Sequence, residues 1–473
     1  MNIVHIAAEL SPIAKVGGLA EAVFGLLHAS GKKGNLSVIL PYYSCIDKNK
    51  IQSLKLKCSL PVAVGKSPKT AKIYQGKINA FTVILIKEDS YFRKKNIYGY
   101  KDDPSRFLFL SKAALEYLTS TKAKIDILHI HDWHTSATLP LCQEIYLGKG
   151  LQIKKTVLSI HNLCYQGIVK KRDLSLFGIK KALPSLKGEN VLQYNLLKGG
   201  IIMADKVIAV SPTYAKEILQ KENSFNLYRT LSKYKNKVIG LLNGIDTSVW
   251  NPKTDSFIPE NFSNRMSFKR IEGAKEKNKT VLFKQFGIKQ TKAPLISYVG
   301  RLTEQKGLKL IEEAITLAKK GKYSFILLGS SNEPIVKKHF EKIKKDTEKE
   351  KNIHIHLGFD EKLAHQIYAA SDFIIIPSVF EPCGLVQLIS FHYATIPIAR
   401  KTGGLKDTIC HNKTGLLFTE YSKAAFNRAV NTAIKQYGKK KHEKMVLEAF
   451  AQNYCWSVRI TDYLNIYRKL LKK

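Results

Sequence analysis

Asp372-Phe373-Ile374-Ile375-Ile376-Pro377, followed after two residues by Phe380-Glu381-Pro382-Cys383-Gly384-Leu385, is the stretch on which the fold turns. Its first six residues form a short apolar run that reads as a buried strand. Leu385, Leu388, Ile389 and His392 then recur at helical spacing, so Glu381 falls in a strand-to-helix loop. Pro382 lacks an N–H and suits the start of a helix, and Gly384 lets a ligand approach the backbone closely. The N–H groups of a helix start attract oxygen ligands. Glu381 therefore reads in two ways: as half of a grip on a polyol such as a sugar, accepting from hydroxyls while amides donate, or as a surface loop acid.

The same strand–loop–helix unit recurs in both directions. Asn2 to Ala8 reads as a first strand. The loop Glu9 to Gly18 follows, then a helix marked by Leu19, Val23, Leu26 and Leu27 and stopped by Gly31. The amides of Gly17 and Gly18 at a positive helix end, with the Lys15 ammonium close by, suit a phosphate, although the spacing is neither G-x-G-x-x-G nor a P-loop. Residues 37–41, 58–65 and 80–87 read as strands, with a hairpin among them, and Pro104 to Ser120 as a helix. Ile125 to His131 is a strand that delivers Asp132-Trp133-His134, with a helix expected from Thr135. Asp132 reads either as a helix N-cap or as a ligand group at the strand end where open α/β sheets bind. Thr156 to Ile160 delivers His161-Asn162 in the same way.

Residues 251–275 are polar and irregular, and the linker is expected at their start. The pattern then restarts. Leu295 to Gly300 is a strand ending in Arg301, a helix follows over 305–319, and Pro334 to Lys351 reads as a charged helix. A second Gly-Gly loop, Thr402-Gly403-Gly404, follows the strand Ile396 to Ala399, and the last 50 residues read as helical. Alternating β and α elements in both halves predict an α/β protein with two Rossmann-like parallel-sheet domains facing across a cleft.

Length and composition bound the function. At 473 residues the chain is too long for one ordinary core. No apolar run approaches the ~18 residues a membrane span needs. The N-terminus lacks the basic region of a secretory signal. Seven scattered cysteines, none in a C-x-x-C pair, argue against a zinc site or a disulfide framework and fit a reducing cytoplasm. Net charge is +39, but 66 lysines and only 11 arginines carry it, spread in doublets such as Lys154-Lys155 and Lys344-Lys345. Nucleic-acid readers cluster arginine with aromatics; this pattern reads as compositional drift, and neither a specific nucleic-acid partner nor a membrane is expected.

Eight stretches together resemble bacterial glycogen synthases and plant starch synthases of glycosyltransferase family five, over nearly the full length. They are Lys15 to Leu19, His131 to His134, His161 to Gly167, Ala209 to Tyr214, Asn243 to Asp246, Gly300 to Gly307, Phe380 to Leu385 and Thr402 to Leu405. The resemblance implies a GT-B fold with an N-terminal domain over 1–245, a nucleotide-sugar domain over 246–455 and a C-terminal helix, 456–473, crossing back to the first. It implies metal-independent, retaining transfer of glucose from ADP-glucose to the non-reducing 4-OH of an α-1,4-glucan, with no cofactor besides that donor. Carried over by position, Arg301 and Lys306 bind the donor diphosphate, with Lys15, Gly17 and Gly18 nearby. Glu381 and the amides of Cys383, Gly384 and Leu385 hold the glucose. His161 and Asp132 contact the transferring sugar, Asn162 and the Thr402-Gly403-Gly404 loop line the substrate, and Phe359 stands where a tyrosine usually stacks on adenine. Glu381, His161, Arg301 and Lys306 are the expected catalytic set. The chain departs from the family pattern at Glu21 (usually Asp), at Phe359, and at Ala394 in Tyr393-Ala394-Thr395, where the middle residue is usually glycine. Two other readings are an inactive glucan-binding scaffold of the same fold, opposed by the intact charged set, and the same reaction with UDP-glucose.

Overall fold

The computed structural model describes residues 1–31, 34–189 and 193–472. They form two compact units, Met1–Gly244 with Trp456–Lys473, and Ile245–Cys455.

The first unit holds β1 (Asn2–Ile6), β2 (Asn35–Pro41), β3 (Gln52–Val64), β4 (Ser67–Ile78), β5 (Phe81–Lys87), β6 (Lys124–His131), β7 (Gln152–Ile160), β8 (Ile168–Val169), β9 (Tyr194–Asn195), β10 (Lys206–Ala209) and β11 (Val238–Gly240). Nine of them make one sheet in the order β11-β10-β7-β6-β1-β2-β5-β4-β3. It is parallel except at the β5-β4-β3 edge, an antiparallel meander. Residues 58–65 of the sequence reading are only the second half of β3; exposed Lys55 and Lys57 hide its first half from a search for apolar runs. In the parallel part, Ile127, Leu128, Ile130, Val157, Leu158 and Ile160 are all fully buried, because helices cover both faces and period-two alternation is lost. The C-terminal helix Trp456–Leu471 packs on the helix Gly18–Ser30 within this unit. A Cβ on Gly25 would lie 1.9 Å from the Trp456 indole nitrogen, so only glycine admits the contact.

The second unit holds β12 (Leu295–Arg301), β13 (Ser324–Ser330), β14 (Ile353–Leu357), β15 (Phe373–Ile376), β16 (Ile396–Arg400) and β17 (Leu416–Phe418). They form one all-parallel sheet in the order β14-β13-β12-β15-β16-β17. The polar, irregular reading of 251–275 fails from Phe268 onward, where a helix runs to Phe286. Its core face carries Lys275 and Lys279, which a hydrophobic pattern cannot flag. Lys275 Nζ donates to the carbonyls of Tyr393 at 2.8 Å and Ala369 at 3.1 Å and to Thr395 Oγ1 at 2.9 Å; Lys279 pairs with Asp372 at 2.8 Å. The charged helix ends at Asp346, short of Lys351.

In both sheets the chain order reverses beside a central strand: at β1, between β6 and β2, and at β12, between β13 and β15. Loops leaving the carboxyl ends of strands on either side of such a point diverge to opposite faces and open a crevice. The loops after β1, β6 and β7, and those after β12 and β15, are therefore where ligands belong.

Candidate active site

In the second unit, Arg301 ends β12, and Lys306 lies in the 3-10 turn Glu304–Lys306 after it. Gly307 sits at φ +83°, and a Cβ there would fall 2.1 Å from the Pro377 carbonyl oxygen, so glycine alone lets this loop meet the one after β15. The Val379 amide donates to the Gln305 carbonyl at 2.9 Å, and Arg400 donates to the Val379 carbonyl. Held this way, Lys306 Nζ donates to Glu381 Oε2 at 2.6 Å, and the buried Ser378 hydroxyl donates to the same oxygen at 2.8 Å. Glu381 is 5% exposed, which removes the surface-acid reading. The Arg301 guanidinium makes no hydrogen bond or ion pair among the described residues and remains available to an anion.

The loop Thr402-Gly403-Gly404 closes on the same place. A Cβ on Gly404 would lie 2.1 Å from the Cys383 carbonyl oxygen, and the Gly404 amide donates to the Glu381 carbonyl at 3.0 Å. Gly404, expected to line the substrate, holds this loop against the Glu381 loop, and its amide is engaged there. Gly384 adopts φ +77°, and the Gln387 side-chain amide donates to the carbonyls of Cys383 and Gly384 at 3.0 and 2.9 Å. Among the described residues the amides of Gly384 and Leu385 donate to nothing, in keeping with a role toward an oxygen ligand. Phe359, after Gly358 in the loop following β14, is 74% exposed, as a stacking platform must be.

In the first unit the loop after β1 is organised by Glu9. This buried carboxylate accepts from the amides of Val16 at 2.6 Å and Gly17 at 3.0 Å, and from the Tyr98 hydroxyl at 2.8 Å. The Gly17 amide offered to a phosphate in the sequence reading is therefore spent on Glu9, while Gly18 opens the helix. Lys15 pairs with Glu21 at 2.7 Å, so the acid at position 21 supplies its counter-charge.

Asp132 starts its helix at once, at φ +56°, and does not cap it. Its Oδ1 accepts from the amides of His161 at 2.7 Å and Asn162 at 3.3 Å, tying the loop after β6 to the loop after β7. Burial, opposed by these two amides, pushes the Asp132 carboxyl up to about 7. The Tyr214 hydroxyl accepts from the Leu163 amide at 2.9 Å, so the Ser211-Pro212-Thr213-Tyr214 run braces this loop. His161 is held by hydrogen bonding to His131 at 3.1 Å, and burial pushes its ring down to about 3, so it is a neutral imidazole at neutral pH.

The loops of the second unit present cations beside a carboxylate, and those of the first present a neutral imidazole and amide-bound carboxylates. The description "Starch synthase catalytic domain" matches residues 2–233, and "Glycosyl transferases group 1" matches residues 278–452. The chain is 36% identical to a glycogen synthase of Protochlamydia amoebophila over 100% of both chains. It is 37% identical to a probable starch synthase 4 of Arabidopsis thaliana, covering 100% of this chain but 47% of that longer one. The solved catalytic domain of starch synthase IV from Arabidopsis thaliana, bound to ADP and acarbose, superposes with TM-score 0.94 at 36% identity over 100% of this chain and 99% of that one. The chain belongs to the glycogen and starch synthase family, glucosyltransferases of the GT-B fold.

Ser378, Gln305, Arg400, Glu9 and Tyr98 act in these sites without having been singled out from sequence. Each makes its contact through tertiary placement, and only Glu9, an acid at the end of the first strand, carried a local signal.

Proposed function

We propose that this protein transfers glucose from ADP-glucose to the non-reducing 4-OH of an α-1,4-glucan in the cytoplasm, with retention and without a metal. The observation that carries the proposal is the loop pair that brings Arg301, Lys306 and Glu381 together at the switch point of the second sheet. Departure of a nucleoside diphosphate needs positive charge aimed at the leaving oxygens, and Arg301 and Lys306 supply it. Glu381 and the Gly384 and Leu385 amides take the glucosyl hydroxyls, and Phe359 stacks on the base. The unit 246–455 is the donor side. The unit 1–245, joined by the C-terminal helix 456–473, offers Asp132, His161 and Asn162 to the transferring sugar and the acceptor glucan, and Lys15 to the neighbourhood of the donor diphosphate. The acceptor 4-OH forms its bond to the glucosyl carbon on the face from which the diphosphate leaves, so no protein nucleophile is needed, and the departing phosphate oxygen takes the hydroxyl proton, which spares the protein a separate base.

Transfer of labelled glucose to glycogen from ADP-glucose and UDP-glucose in parallel tests this reading. Faster incorporation from ADP-glucose is expected. A preference for UDP-glucose overturns the donor assignment, and no incorporation from either overturns the enzyme.

A further inference from the structure

Behind the His161 loop lies a string of buried imidazoles that the reading above leaves unused. His161 Nε2 meets His131 Nδ1 at 3.1 Å, and His131 Nε2 meets His5 Nδ1 at 3.1 Å. His129, the register partner of His5 on β6, lies against both, its ring 4.9 Å from His5 and stacked 4.3 Å from His131. Both nitrogens of His129 are committed: Nδ1 to the Tyr467 hydroxyl of the C-terminal helix at 2.6 Å, Nε2 to the Ser159 hydroxyl at 2.7 Å. His5, His129 and His131 bring nitrogens within 4.8 Å of one another. With His129 bonded at both nitrogens and His5 Nδ1 bonded to His131 Nε2, the cluster is a hydrogen-bonding device.

Burial holds every ring in the string neutral: His5 and His161 are pushed down to about 3, and His131 and His129 lie well below the ordinary histidine value. A neutral imidazole carries one N–H, so a bond between two such rings has one donor and one acceptor. A ring bonded at both nitrogens passes the choice on. If His5 donates from Nδ1, His131 must carry its proton on Nδ1, and so must His161. If His161 donates from Nε2, the order reverses along the string and His5 carries its proton on Nε2. The three tautomers change together. The consequence reaches the substrate, because Nδ1 of His161 is a donor in the first order and an acceptor in the second.

We propose that His131 and His5 are positioning residues for glucosyl transfer: through this string they set which nitrogen of His161 carries the proton and hold the ring's orientation. The proposal rests on His161 contacting the transferring sugar.

The test uses the full-length protein and its variants His5→Leu, His5→Asn and His161→Ala. Leucine breaks the string two rings away from His161, whereas the asparagine amide stands in for Nδ1 as donor or acceptor. If leucine prevents folding, His5→Ala makes the same break. The readouts are kcat, KM for ADP-glucose, and the ¹⁵N imidazole spectrum of His161, assigned by its loss in His161→Ala. Wild type should show one tautomer. His5→Leu should show a mixture, with kcat lowered roughly 10-fold and KM within about twofold, and His5→Asn should recover most of the rate. A folded His5→Leu protein with a single, unchanged His161 tautomer and kcat within about twofold of wild type overturns the proposal. His161→Ala separates the two claims. Normal transfer by that variant overturns the role of His161 itself, while lost transfer beside an unaltered His5→Leu protein overturns the positioning role alone.

Discussion

The two switch points of this protein are built on the same topology and filled with opposite chemistry. At β12 and β15 the loops carry charge: Arg301 without a partner among the described residues, and Lys306 on Glu381 at 2.6 Å. At β1, β6 and β7 the loops carry neutral rings and carboxylates already accepting backbone amides, Glu9 from Val16 and Gly17, Asp132 from His161 and Asn162. The Lys15–Glu21 pair brings opposite charges to that side. On the proposed function the difference matches two tasks. A diphosphate leaving group needs cations, and its arrival must compete with Glu381 for Lys306. Sugar hydroxyls need directional, uncharged donors and acceptors, which buried imidazole and amide groups provide without the cost of desolvating an ion.

The sharpest break of this comparison is removal of charge from the second site. A charge-assisted hydrogen bond is worth ~1.5–3 kcal/mol in binding and more where charge develops, so Lys306→Ala should lower kcat/KM roughly 10²-fold or more. A folded variant within about threefold of wild type takes Lys306 out of the site.

Backbone closeness is the next lever. Gly404→Ala places a methyl 2.1 Å from the Cys383 carbonyl oxygen and must push the 402–404 loop off the Glu381 loop. Transfer should fall by about 10-fold or more, because a displacement near 1 Å at a reacting centre costs on that scale. Unchanged kinetics would mean the two loops are not coupled.

Asp132 sharpens the comparison through pH. Its folded value is raised from 3.8 to about 7 by burial, with Glu9 adding to the rise and the two amides opposing it. A carboxyl raised on folding contributes stability that is present below pH ~4 and lost as pH rises through the folded value. Thermal stability should therefore decline between pH 4 and 7 through this group, and Asp132→Asn should flatten that part of the profile. An identical profile in the variant would show that Asp132 stays ionised throughout.

How much of this was legible beforehand divides along the same line. The strand-to-helix loops and their charged residues were readable because apolar runs ending in Arg301, Glu381 or His161 are local patterns. The string of histidines was not: His5 and His129 sit inside apolar strands, where a sequence offers only a buried histidine, and their partners lie on other strands or on the C-terminal helix. The engagement of the Gly17 and Gly404 amides was equally hidden, since a Gly-Gly pair before a helix looks the same whether its N–H groups face a phosphate or a neighbouring loop. Position 394 went the other way. Glycine is usual there, and the structure gives Ala394 φ +52°, which explains the usual residue. Ala394→Gly should stabilise the second unit by about 0.5–1 kcal/mol, the smallest effect anticipated here, seen as a slightly higher melting temperature. A lower one would mean the alanine methyl packs well enough to offset its backbone strain.

Calorimetric titration of ADP into wild type, Lys306→Ala and His161→Ala tests the division of labour most directly. Lys306→Ala should bind ADP at least about 10-fold more weakly, whereas His161→Ala should bind within about threefold of wild type while losing transfer. ADP affinity lost equally in both variants, or kept in Lys306→Ala, would contradict the assignment of charge to the donor and neutral hydrogen bonding to the sugar.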